Sequence, residues 1–128
     1  MKKILFAIAL FLCACSQNEA AILKTGTYKL IDSMHGVFTT ITLSKDGRFS
    51  GKVVNTIMGQ YTTNGDNLTI NPTGTTMMMG PEKDMVSEQN FIQALLLVKK
   101  YKMQENNLIL ILENGGELIF EPYKETNE

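Results

Sequence analysis

No cysteine follows Cys15 in this sequence, and the two cysteines present are Cys13 and Cys15. A chain processed at that point keeps no thiol for an internal disulfide, a cysteine nucleophile or a cysteine-ligated zinc. Histidine is as scarce: the single one is His35, in Ser33-Met34-His35-Gly36. A hydrolase would need a nucleophile and an orienting acid around it. Asp32 and Ser33 are neighbours in sequence only, so an exposed loop histidine is the better reading. Positive charge is thin too. Removing Lys2 and Lys3 from the 12 Lys/Arg leaves ten against 13 Asp/Glu, with no basic patch, so nucleic acid is not an expected partner. The carboxylates are scattered near turns and chain ends (Asp46, Asp66, Glu113), which suits solubility better than acid–base work. No apolar run reaches the roughly 20 residues of a membrane-spanning helix.

A short apolar run is present at the start. Lys2 and Lys3 precede residues 4–12, ILFAIALFL, in the order of a secretory signal. Leu12-Cys13-Ala14-Cys15 then places Leu at −3, a small residue at −1 and Cys at +1, which resembles a bacterial lipobox. Cleavage before Cys15 would remove Cys13 and make Cys15 the lipidation site. Ser16, rather than Asp, at +2 favours the outer membrane facing the periplasm by analogy with Gram-negative sorting. More than one acyl chain makes such an anchoring stable. The expected organisation is a signal peptide over 1–14, a lipidated tether over 15–24, one domain over 25–123 and a polar tail over 124–128.

Within the domain, short apolar/polar segments alternate with turns. Residues 27–31 read as a first strand. In residues 38–43 (FTTITL) period two puts Phe38 and Thr40 on one face and Thr39, Ile41 and Leu43 on the other. Ser44-Lys45-Asp46-Gly47 is a turn. Residues 48–54 pair back, and Gly51 is expected at a bulge. Residues 59–63 and 67–71 form further strands around Asn64-Gly65-Asp66. After Pro81 the period changes: Phe91, Leu95 and Val98 fall at i, i+4 and i+7, predicting a helix over 84–100. Asp84 or Ser87 would cap it, Glu88 would sit in its first turn and Lys99 and Lys100 in its last. Three strands close the chain, at 100–104, 108–112 (LILIL, apolar on both faces) and 117–123. The fold class is α+β, a curled, cone- or barrel-like antiparallel sheet with one packed helix.

Three stretches, GRFSGKVVNTIMGQYTTNGDNLTI, TTMMMGPEKDMVSEQNFIQALLLVKKY and NNLILILENGGELIFEP, resemble the META domain of HslJ-like bacterial heat-shock lipoproteins over residues 25–123. The matching positions are Asn55, Gly59 and Tyr61 in the first block, and Thr76, Met78, Glu88 and Phe91 in the second. Many members carry a cysteine in each block; here those positions are Val54 and Gly80. The resemblance implies that the two family cysteines pair and that this chain does without their staple, worth roughly 2–4 kcal/mol. It also implies an envelope protein tied to heat or antibiotic stress; it implies no catalytic mechanism and carries no active site over to these residues, so no catalytic residue and no cofactor is expected.

The methionines admit a second reading. Thioethers suit Cu(I), and Met77, Met79, Met58 and His35 could form a periplasmic copper site. Against this, Met77 and Met79 would share one strand face with Met78 on the other, and methionine fills irregular cores, so packing is the favoured role. A third reading, an inhibitor of a cell-wall-degrading or proteolytic enzyme, rests on Ser50-Gly51, with Val54 where the tyrosine of such loops would stand. The expected partners are the membrane, through the N-terminal lipid, and an envelope protein or ligand.

Overall fold

Period-two alternation along eight short strands leaves one apolar face, and the chain buries that face by closing the sheet on itself. The computed structural model describes residues 22–31 and 36–124. The elements are β1 (Gly26–Leu30), β2 (Thr40–Leu43), β3 (Arg48–Lys52), β4 (Thr56–Asn64), β5 (Asn67–Thr75), α1 (Glu82–Leu96), β6 (Val98–Gln104), β7 (Asn107–Leu112) and β8 (Glu117–Pro122). Each strand pairs antiparallel with the next, and β8 returns to β1, giving a closed barrel. Closure removes the unpaired edges of an open sheet.

The inward rows follow from register. Tyr28, Ile41, Gly51 and Ile57 form one row across β1 to β4. Leu30, Phe120 and Leu108 form another across β1, β8 and β7, and all three are buried. Leu108, Ile109, Leu110 and Leu112 are buried, as a continuous apolar strand should be. Phe91 and Leu95 of α1 join this core, each apolar side chain contributing about 1.5–3 kcal/mol on burial. Buried tyrosines tie the β2–β3 turn and the segment before β1 to the barrel. Tyr61 donates its hydroxyl to the Ser44 carbonyl at 2.5 Å, and Tyr28 donates to the Lys24 carbonyl at 2.6 Å. Burial pushes both phenols above their ordinary range, with the Asp46 charge adding to the effect at Tyr61.

One seam is thin. β5 and β6 share a single register pair, Asn67 with Lys100, supported by the Tyr101 amide donating to the Asp66 carbonyl at 3.0 Å. The helix is inserted in the chain between these two strands and packs on β5.

Several local expectations are corrected. Gly51 is in regular register; it points inward, where an added Cβ would stand 3.3 Å from Phe49 Cζ, so it makes room for that ring. The bulge falls between Met58 and Gly59 instead. A Cβ at Gly59 would lie 2.3 Å from the Asn71 carbonyl oxygen, so the bulge brings two backbones too close for any side chain. The helix starts at Glu82 with Pro81 at its N-cap and no side-chain cap, and Glu82 and Asp84 provide the acidic first turn. Proline suits such a start because the missing N–H has no intrahelical partner there. Ser87 and Glu88 are therefore interior and buried, and Lys99 and Lys100 belong to β6. The helix stops before Val98 because Leu97 closes it and Glu113 then donates its amide to the Leu97 carbonyl at 2.8 Å, pulling the chain into the sheet.

Candidate functional site

Two places are built with care: a buried polar node and an open groove. The node gathers Asn55, Thr76, Met78 and Glu88. Asn55 lies in the turn between β3 and β4, Thr76 and Met78 in the connection from β5 to α1, and Glu88 on α1. Glu88 is 2% exposed and Asn55 3%. Glu88 Oε1 accepts from the Val54 amide at 3.0 Å and the Asn55 amide at 2.6 Å. Its Oε2 accepts from Asn55 Nδ2 at 2.9 Å. Asn55 Oδ1 accepts from the Met78 amide at 2.5 Å and the Thr76 hydroxyl at 2.8 Å, while Nδ2 also donates to the Met78 carbonyl at 3.2 Å. The Met78 amide can only donate, so it fixes which end of the Asn55 amide is oxygen. Thr76 Oγ1 accepts in turn from the Thr56 amide at 3.0 Å.

Every polar position of Asn55 is thereby used: its side chain treats Met78 as a neighbouring strand would, holding both N–H and C=O. A buried, unpaired amide or carboxyl group is costly; here each one finds a partner, and the node spends its capacity on itself. It is scaffold. Gly59, Tyr61 and Phe91 do not join it; they shape the bulge, the β2–β3 turn and the core.

The methionine expectation is corrected. β5 ends at Thr75, so residues 77–79 are irregular and the strand-face argument does not apply. Met77 and Met79 are each 86% exposed and Met78 53%, so they do not pack the core; Met78 acts through its backbone. Met58 is also exposed, on the outer face of β4. Among the described residues no group of three or more His, Cys, Asp or Glu side chains is placed to hold a metal. Cys15 and His35 lie outside the described residues.

The groove, about 740 Å³, runs over the outer faces of β1, β2 and β3. Register places Thr27, Thr42 and Ser50 in one row and Thr40, Lys52 and Thr56 in the next. Thr27 and Thr42 share a hydrogen bond at 2.9 Å. On the β8 side stand Phe38 and Tyr123, edge to face at 5.4 Å between centroids, with the Lys29 ammonium 5.7 Å from the Phe38 ring centre. On the other side are Val53, near the β3–β4 turn, and Lys83 and Asp84 from the start of α1. Sequence reasoning missed this surface. Its signal was available: the outward positions of FTTITL are Phe38, Thr40 and Thr42 and those of RFSGK are Arg48, Ser50 and Lys52.

Val54 and Gly80 are brought together. A Cβ at Gly80 would lie 3.1 Å from Val54 Cγ1, and Gly80 has no positive φ that would strain a side chain. In a chain that also carries Cys13→Ser and Cys15→Ser, Val54→Cys with Gly80→Cys is expected to form a disulfide on mild oxidation and gain about 3 kcal/mol; thiol counting and denaturant unfolding check this, and two persistent thiols would contradict it. Glu88→Gln keeps the shape but gives up one acceptor, setting an NH2 against amide donors. It should lose about 1–3 kcal/mol, and Glu88→Ala more. Unfolding midpoints equal to that of the parent would show that the node holds nothing.

Residues 23–125 match the META domain family. The fold is similar to a DUF4847 family protein from Bacteroides vulgatus ATCC 8482, with a TM-score of 0.61, 22% identity, and 82% of this chain and 97% of that one covered. It is also similar to a protein from Burkholderia xenovorans studied by NMR, with a TM-score of 0.59, 22% identity and 88% of each chain covered. No curated protein matches the chain. The match over residues 23–125, joined to a closed antiparallel barrel with one helix, establishes that this chain belongs to the META domain family.

Proposed function

We propose that this protein is a non-enzymatic binding module, anchored to the envelope by lipid at Cys15 and acting in tolerance of heat, antibiotic or other envelope stress. The observation that carries the reading is the division of labour between node and groove. The family-motif side chains hold one another, with Asn55 and Glu88 both buried, which suits a scaffold. The groove lies on the opposite face of the sheet from the core and offers hydroxyls, ammonium groups and an aromatic pair to solvent, which suits recognition. Anchoring is supported by the order of charge, apolar run and lipobox over residues 2–15.

A second reading has its own support. Met77 and Met79 project into solvent, so their thioethers are accessible to Cu(I). The inhibitor reading has lost ground, because Ser50 and Gly51 lie within β3 rather than in a projecting loop.

Cys15→Ala should abolish acyl labelling and membrane retention, and should fail to restore heat survival to a strain lacking the gene. Continued acylation would reject the anchor, and full rescue by the soluble variant would reject its role. For copper, the chain with Cys13→Ser and Cys15→Ser is titrated with Cu(I) under reducing conditions. Saturable binding tighter than micromolar that disappears in Met77→Leu, Met79→Leu would support the second reading, and its absence would sink it.

A further inference from the structure

We infer that the groove over β1, β2 and β3 binds a carboxylated oligosaccharide. The inference rests on the binding-module reading and names its ligand class. The volume, about 740 Å³, falls in the range of about 300–1,000 Å³ usual for small-ligand sites.

The first argument is the hydroxyl array. Thr27, Thr42 and Ser50 stand on adjacent strands in one row, with Thr40 beside them in the next. Neighbouring strands are about 4.8 Å apart, a spacing that the hydroxyls around a sugar ring can bridge. The Thr40 and Ser50 side chains are half-buried and make no hydrogen bond to the described residues. A hydroxyl both donates and accepts, as does every hydroxyl of a glycan, so the two surfaces match group for group.

The second argument is the aromatic wall. Phe38 is 51% exposed, yet Tyr123 holds its ring edge to face and Lys29 lies over it. An exposed ring fixed in place beside polar groups presents an apolar platform to the C–H face of a sugar.

Charge supplies the third. Lys52 and Lys83 line the groove, and the ion pair formed among the described residues is Arg48 with Asp46, elsewhere. Two ammonium groups that form no ion pair among the described residues favour a carboxylate on the ligand, although Asp84 in the same wall limits how much negative charge is accepted. A peptide is the poorer fit. Extended peptides bind by adding to a free strand edge, and β1, β2 and β3 are each paired on both sides in a closed barrel.

The test is calorimetric titration of the purified full chain in detergent micelles. The probes are a galacturonic acid tetramer, a neutral galactose tetramer and a short polyglutamate. The acidic sugar should bind saturably and about tenfold more tightly than the neutral one. Lys52→Glu should remove that difference and leave thermal unfolding unchanged, and Phe38→Ala should weaken both sugars while the chain still unfolds cooperatively, its lost contact with Tyr123 lowering the midpoint by a few degrees only. Equal binding of polyglutamate, indifferent to Phe38→Ala, would overturn the glycan in favour of charge alone. Equal affinity for the two sugars would overturn the carboxylate requirement, and binding of neither would overturn the site. Acylation at Cys15 is read separately, so an anchored protein that ignores both sugars keeps the envelope anchor and loses this ligand and this groove as its site.

Discussion

Glu88 enters the interior with no cationic partner among the described residues, and three N–H groups from the β3–β4 turn meet it there. A carboxyl group buried in this way is tolerable only when its acceptors are filled. That requirement dictates the surrounding geometry. The turn must present the amides of Val54 and Asn55 to one oxygen and the Asn55 side chain to the other. The Asn55 side chain must then hold Met78 and Thr76, which fixes how the chain leaves β5 and enters α1. The partners are 21 to 34 residues apart in sequence, so their bonds form only when β3, β4, β5 and α1 assemble together. The thin β5–β6 seam makes this bracing useful, because it secures the helix inserted between those two strands.

The cysteine positions of the family fall beside the same node. Val54 and Gly80 lie close together there, a Cβ at Gly80 standing 3.1 Å from Val54 Cγ1, and the Val54 amide itself bonds Glu88. A covalent staple there and the hydrogen-bonded node would constrain the same two segments. This chain sets a valine beside a glycine there, so burial and polar satisfaction would carry the load that the resemblance assigns to a disulfide in other members. Because the node is saturated and inward, the recognition we propose would use the outer face of the barrel. There the alternation that sends Tyr28, Ile41 and Phe49 inward sends Thr27, Thr42 and Ser50 outward into one continuous row. Core and groove are two sides of one periodic pattern.

The sequence by itself determined the strands and their inward faces, since period two in FTTITL and unbroken apolarity in LILIL leave few other ways to bury those side chains. It also marked Asn55, Thr76, Met78, Glu88 and Phe91 through the META resemblance. It did not say what they do. Helix limits were misplaced because Pro81 starts a helix without a capping side chain, and because the apolar periodicity runs on through Val98 although the backbone there belongs to β6. The methionines were misjudged because composition cannot tell a buried thioether from an exposed one. Only the tertiary structure decided that barrel closure pairs β8 with β1, that the bulge sits at Gly59, and that hydroxyls, lysines and rings from separate segments share one groove. These are long-range facts: register and closure set which outward side chains become neighbours, and no local pattern encodes that.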